Sequence, residues 1–184
     1  MNWPNRLSLL RIALVPILVL LIYADMAWTQ VLALIVFMGA CFTDWLDGHI
    51  ARKNLIVTNF GKFIDPVADK LLVLSTMIAL CGQGEIPAWA CIVVLFRELA
   101  VDGLRLVAVQ QGQVIAAGKL GKIKTALQML TLVLYLLRGL GDFMKPISEI
   151  CLYLAVCMTL WSGVDYFVRN RAVFALGGGG KHGA

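Results

Sequence analysis

The sequence is short of charge. Only 15% of its 184 residues are Asp, Glu, Lys or Arg, while 60% are hydrophobic and the mean hydropathy is +0.85. Soluble domains usually carry about 25% charged residues, so this composition excludes an ordinary water-soluble domain and makes lipid the solvent for much of the chain. Histidine is scarce, with His49 and His182 only, and the second stands in the glycine-rich end "LGGGGKHGA". The five cysteines, Cys41, Cys81, Cys91, Cys151 and Cys157, form no C-x-x-C pair and sit in or beside apolar runs. That excludes a zinc site and a disulfide framework and leaves them as small core residues. No Ser/His pair suggests a covalent nucleophile, no soluble domain interrupts the apolar runs, and no internal repeat is evident.

Long hydrophobic runs are abundant. A membrane-spanning helix needs ~20 mostly apolar residues, and six stretches approach that: Leu7 to Tyr23, Gln30 to Leu46, Pro66 to Cys81, Ile86 to Val109, Ile123 to Leu140 and Ile147 to Val168. The expected fold is all-α, a polytopic bundle of six transmembrane helices over residues 1–170, followed by a flexible tail at 171–184. The first run is not read as a signal peptide, because "YADMA" is a poor cleavage site and five more apolar runs follow.

Charge placement gives a topology. With six spans both termini share a side. Arg6, Arg11, Arg52, Lys53, Lys62, Arg105, Lys119, Lys122, Lys124, Arg169, Arg171 and Lys181 fall on that side or at its border, against Arg138 and Lys145 on the other. Cationic loops stay cytoplasmic, so both termini are expected in the cytoplasm. The net charge of +5 then gathers on a face suited to anionic headgroups and phosphorylated substrates. Trp3, Trp28, Trp45, Trp89 and Trp161 read as interfacial residues.

The chemistry concentrates in "TDWLDGHIARKNLIVTNFGKFIDPVADK", residues 43–70, which holds Asp44, Asp47, Asp65 and Asp69. Spacings of three and four put each pair on one face of its helix. Adjacent spans joined by a short loop bring both pairs to one membrane face. Four converging carboxylates oppose each other's ionisation. Lys70 and Arg52 could offset part of that charge, but divalent cations close the deficit. An all-oxygen set favours Mg²⁺, Mn²⁺ or Ca²⁺, and two bridged ions suit phosphoryl chemistry. Gly48 and Gly61 beside the pairs let a ligand approach the backbone.

This spacing, D-x2-D-G-x2-A-R-x8-G-x3-D-x3-D from Asp44 to Asp69, resembles the complete signature of the CDP-alcohol phosphotransferases. "PNRLSLLRIALVP" is similar to the family's N-terminal element. "FRELAVDGLR", "GKIKTALQM" and "TLWSGVDYF" resemble its phosphatidylglycerophosphate synthase branch. The resemblance implies displacement of CMP from CDP-diacylglycerol by an alcohol, here sn-glycerol 3-phosphate. It also implies an inner-membrane homodimer with a pair of Mg²⁺ or Mn²⁺ ions. Carried over by position, Asp44, Asp47, Asp65 and Asp69 hold metal, and Asp69 is also the general base. Asn5, Ser8, Gly48, Arg52 and Thr58 contact the CDP-diacylglycerol nucleotide.

The acceptor's phosphate needs cations. Arg105, Lys122 and Lys124 are the candidates, with Lys119 a weaker one. Glu98, Asp102 and Arg105 form one polar stripe on the fourth span, with Arg97 off it. That stripe is either a pocket-shaping ion network or a structural pair. Two alternatives stay open: a relative using inositol phosphate, serine or phosphatidylglycerol as acceptor, and a small cation transporter with a carboxylate relay.

Overall fold

The computed structural model describes the backbone of residues 3–24, 26–54, 59–113, 115, 118–141, 143–171 and 173. Within these, the side chains at 3–6, 27, 44–54, 59–63, 65–66 and 139–140 fall outside the description. The described residues are all-helical. They form α1 (Trp3–Tyr23), α2 (Ala27–Asn54), α3 (Asn59–Gly82), α4 (Ala88–Gln110), α5 (Lys119–Leu136) with a 3-10 turn at Leu137–Leu140, and α6 (Met144–Arg169). Each expected span overlaps most of its length with one of these helices. Residues 174–184 of the expected tail, with His182, lie outside the described residues.

The helices run further than the apolar patterns suggest. The sequence reading ended its second span at Leu46 and began its third at Pro66. Instead α2 continues to Asn54 and α3 begins at Asn59, leaving only 55–58 between them. Polar residues such as Arg52 and Lys53 are good helix formers, so hydropathy alone placed the helix end too early. The α4 end is set by Gly112, whose φ of +73° suits glycine. Its N–H donates to the Val109 carbonyl (3.0 Å) and that of Gln113 to the Ala108 carbonyl (2.9 Å), the double bond of a Schellman stop.

Side-chain pairs fix the relative directions. Arg11 pairs with Asp69, and Gln83 donates to the Ile22 carbonyl at 2.5 Å, so α1 and α3 run parallel. Lys70 pairs with Asp102, so α3 and α4 oppose each other. Arg97 bonds Ser162 at 3.2 Å and Arg105 bonds Tyr166 at 3.1 Å, which aligns α4 with α6. Gln128–Thr159 and Thr131–Cys151 contacts set α5 against α6. The α1 helix packs extensively on both α2 and α3, and α5 on α6. Among the described residues α2 and α3 meet mainly through α1, rather than as the direct neighbours that the short loop suggests.

The main core joins all six helices around Leu18, Phe37, Leu72, Val94, Leu132 and Leu152. A second cluster, Val101, Leu104, Ala108, Tyr166 and Val173, closes the ends of α4 and α6. The exterior is also apolar: Leu20, Ile35, Phe42, Phe96, Leu99, Trp161 and Val164 all stand exposed. Trp28 and Trp89 are exposed as well. Large contiguous apolar surfaces are rare on soluble monomers. By length and composition α6 is long and apolar enough to cross a membrane, and Leu7–Tyr23 and Trp28–Thr43 are shorter apolar helices. The remaining helices carry several ionisable residues each, which lowers their hydropathy. Cys151 is buried, but Cys157 is exposed rather than in the core.

At the end remote from Asp69, Arg138 ties three elements together. Its Nε donates to Ser148 Oγ at 2.6 Å and one terminal nitrogen to Glu85 at 2.6 Å; the other reaches Glu149 at 3.5 Å. The guanidinium also lies 3.9 Å from the centre of the Tyr135 ring. Replacing Arg138 by Met should lower unfolding stability by about 2 kcal/mol. It removes a hydrogen bond to a buried hydroxyl and a stacked cation, whereas the carboxylates are exposed enough to re-solvate. Thermal melts in detergent check this, with activity per folded molecule expected to hold.

Candidate active site

The four aspartates lie on two helices joined by residues 55–58. Asp47 stands seven residues before the end of α2 and Asp65 six after the start of α3, which is ~10 Å and ~9 Å along the axes. Asp44 and Asp69 each stand ten residues from the same connection, ~15 Å along. Counted along the chain, Asp47 and Asp65 stand at similar distances from the connection, as do Asp44 and Asp69. Unbroken helix through both pairs keeps the three- and four-residue spacings on one face each. The donor set is all carboxylate, which fits hard divalent cations. The side chains of Asp44, Asp47 and Asp65 lie outside the described residues, as do those of Asn5 and Arg52 and the whole of Thr58. Among the described residues no three His, Cys, Asp or Glu gather into a metal-binding group. Gly48 lies in the α2 helix one residue after Asp47.

Asp69 is described, and its carboxylate ion-pairs with Arg11. The Arg11 side chain is 1% exposed and that of Asp69 is 41% exposed. A guanidinium thus reaches the aspartate from beneath, while the carboxylate faces open space. The sequence reading counted Arg11 as border charge and missed this. A signal existed: Asn5, Ser8 and Arg11 recur every three residues along α1, and Ser8 is also buried. Lys70, offered as a counter-charge for the aspartates, turns instead to α4, where it pairs with Asp102 and lies 3.8 Å from Glu98.

Asp69 opens onto a cavity of about 690 Å³ between α3, α4, α5 and α6. The same cavity is lined by Arg105, Lys122 and Lys124, the three residues expected to hold the acceptor, together with Lys70 and Arg97. Lys119, the weaker candidate, is not among its lining residues. Arg105 is steadied by Tyr166, whose hydroxyl accepts from Nε at 3.1 Å and whose ring centre lies 5.5 Å from the guanidinium. Lys124 is buried against Glu98. Arg97, which helical spacing put off the polar stripe, joins it by reaching Glu98 and Ser162, each at 3.2 Å. Gly163 makes room for this: a Cβ there would sit 3.2 Å from Arg97 Cγ. A one-helix pattern could not register the contact, because it is made across α6.

The described helices thus gather three carboxylates and five cations around one cavity, a setting suited to a phosphorylated ligand. Comparison with known proteins gives the chain its family. Residues 1–161 match the sequence model of the CDP-alcohol phosphatidyltransferases, and the chain belongs to that family. Enzymes of the family are membrane-associated and generally depend on a divalent metal. The chain is 43% identical over 183 residues to the CDP-diacylglycerol–glycerol-3-phosphate 3-phosphatidyltransferase of Bacillus subtilis, covering 92% of this chain and 95% of that one. It is 36% identical over 176 residues to the enzyme of the same name from Rickettsia typhi, covering 94% and 99%. It is 38% identical over 180 residues to CDP-diacylglycerol–glycerol-3-phosphate 3-phosphatidyltransferase 2 of Arabidopsis thaliana, covering 89% and 77%. Family membership displaces the cation-transporter alternative.

Proposed function

We infer that the chain catalyses the reaction its relatives are named for. It transfers the phosphatidyl group of CDP-diacylglycerol to sn-glycerol 3-phosphate, giving phosphatidylglycerophosphate and CMP. The observation that carries the site assignment is the single cavity onto which Asp69, Arg105, Lys122 and Lys124 all face. A base and a phosphate-binding wall in one space is what this transfer requires of the protein.

In this reading Asp44, Asp47, Asp65 and Asp69 hold two Mg²⁺ or Mn²⁺ ions, which when bound neutralise the diphosphate and the charge developing on departing CMP. Asn5, Ser8, Gly48, Arg52 and Thr58 hold the cytidine diphosphate portion. Arg105, Lys122 and Lys124 hold the acceptor's phosphate by charge-assisted hydrogen bonds, which presents its free hydroxyl to Asp69. Asp69 takes the hydroxyl proton as the oxygen bonds to the phosphatidyl phosphorus. The bond from that phosphorus to the CMP oxygen breaks, and CMP leaves with the electron pair. Attack is direct and in line, since no side chain on the cavity wall stands out as a covalent nucleophile.

The bundle, residues 1–170, spans the inner membrane six times, works as a homodimer, and keeps the active site and both termini cytoplasmic. Its apolar exterior supports lipid as solvent, and the crowding of lysine and arginine at the Asp69 end supports the orientation. Residues 171–184 form a tail outside it.

The test is CMP release from CDP-diacylglycerol in mixed micelles, with each acceptor offered in turn. Release should require glycerol 3-phosphate, stop on chelation, and return with Mg²⁺ or Mn²⁺. Release with inositol phosphate, serine or phosphatidylglycerol but not with glycerol 3-phosphate would reassign the acceptor.

A further inference from the structure

The cavity wall holds an ion network whose charges do not close. Glu98 lies on α4 with its side chain 11% exposed. Its Oε1 accepts from Lys124 of α5 and from Arg97 at 3.2 Å, and its Oε2 lies 3.8 Å from Lys70 of α3. Asp102, one turn further along α4, takes Lys70. Three cations thus share two carboxylates. Arg105 is held by a neutral tyrosine, and Lys122 is exposed at the cavity rim. The other two carboxylates on the wall are matched elsewhere, Asp69 by Arg11 and Asp165 by Arg169 at 2.7 Å. A purely structural network would balance itself, because burying unmatched charge is costly. This one leaves a cationic surplus directed at an open cavity.

The donors are also underused. Among the described residues, Arg97 Nε is buried with no hydrogen-bond partner. An ammonium has three N–H donors, and the Glu98 carboxylate is the one acceptor found for Lys124 among the described contacts. Lys124 is 5% exposed, and a buried ammonium keeps its place only beside a counter-charge. Take Glu98 away, and three cations on three helices repel one another.

We propose that Glu98 is a positioning residue for acceptor recognition, fixing Lys124, Arg97 and Lys70 at the separations where their remaining donors meet a phosphate monoester dianion. The inference rests on the function proposed above. It adds Arg97 and Lys70 to the groups that meet the acceptor's phosphate, and a carboxylate that never touches the anion it helps to bind. One negative charge inside the cluster makes the cluster rigid, and the surplus then draws the second anion to one spot.

Steady-state kinetics on Glu98→Gln, Glu98→Asp, Lys124→Met and the double variant Glu98→Gln/Lys124→Met test it, alongside calorimetric binding of glycerol 3-phosphate in detergent without the lipid substrate. Glu98→Gln should raise KM for glycerol 3-phosphate at least tenfold and leave KM for CDP-diacylglycerol within twofold. Glu98→Asp should recover part of the loss. The double variant should lose less than the product of the two single losses, because part of the carboxylate's effect runs through the lysine. An unchanged or lower acceptor KM in folded Glu98→Gln overturns the proposal, as does an equal rise for both substrates. Lack of glycerol 3-phosphate-dependent CMP release by the wild type would instead refute the assigned function. The calorimetry then still decides on Glu98, since weaker binding in Glu98→Gln supports it and equal or absent binding in both proteins rejects it.

Discussion

Replacing Asp69 by Asn is expected to cut CMP release by at least ~10³-fold while the helices stay folded. General-base catalysis alone contributes ~10²–10⁴, and the same carboxylate is proposed to hold metal, so the two losses compound. Stability should fall only modestly. Breaking a buried ion pair from one side costs about 3–5 kcal/mol. Asp69, however, is 41% exposed, so its share of the pair is screened and the cost drops to about 1–2 kcal/mol. Circular dichroism should therefore give native helix content with a melting point lowered by a few degrees. CMP release above a tenth of wild type in that variant would remove Asp69 from the chemistry.

The fold was readable because its signals are long and repeated. Six apolar runs each became a helix, since a stretch of that length in this composition has few other ways to satisfy its backbone. Helix ends were harder. Nothing in hydropathy distinguishes helical "GHIARKN" from a loop, because solvated polar residues are compatible with both, and so α2 was ended eight residues early. The aspartates were legible as pairs because three- and four-residue spacing is a local property of one helix. What they face is not local. The partner of Asp69 sits 58 residues away on α1, and Lys70, adjacent to Asp69 in sequence, points to another helix altogether. Neighbouring residues on a helix are turned by about 100°, so adjacency in the chain separates these side chains. Arg97 shows the same limit. Its spacing on α4 set it apart from the polar stripe, yet its length and the gap at Gly163 bring it back into the cavity. Patterns within one helix reveal which faces are polar; which polar faces meet depends on packing between helices.

Arg11 carries the second large effect. Arg11→Met keeps most of the buried volume and removes the guanidinium beneath Asp69. The carboxylate then loses the group that fixes its direction toward the cavity. A displacement near 1 Å at a reacting group costs ~10²-fold, so CMP release should fall by about that factor. Arg11→Lys should recover only part, because an ammonium supplies charge without the planar fork that orients a carboxylate. Stability provides the more discriminating readout. Asp69→Asn strips a counter-charge from a guanidinium that is 1% exposed, whereas the double variant Arg11→Met/Asp69→Asn removes the buried charge as well. Replacing both partners of a buried pair is often neutral or stabilising. The double variant should therefore melt higher than Asp69→Asn alone, by about 1–2 kcal/mol of coupling, while being equally inactive. Strict additivity of the two single effects on the melting free energy would mean that Arg11 and Asp69 do not interact in the folded protein. The direction of the proposed base would then have to come from contacts other than Arg11.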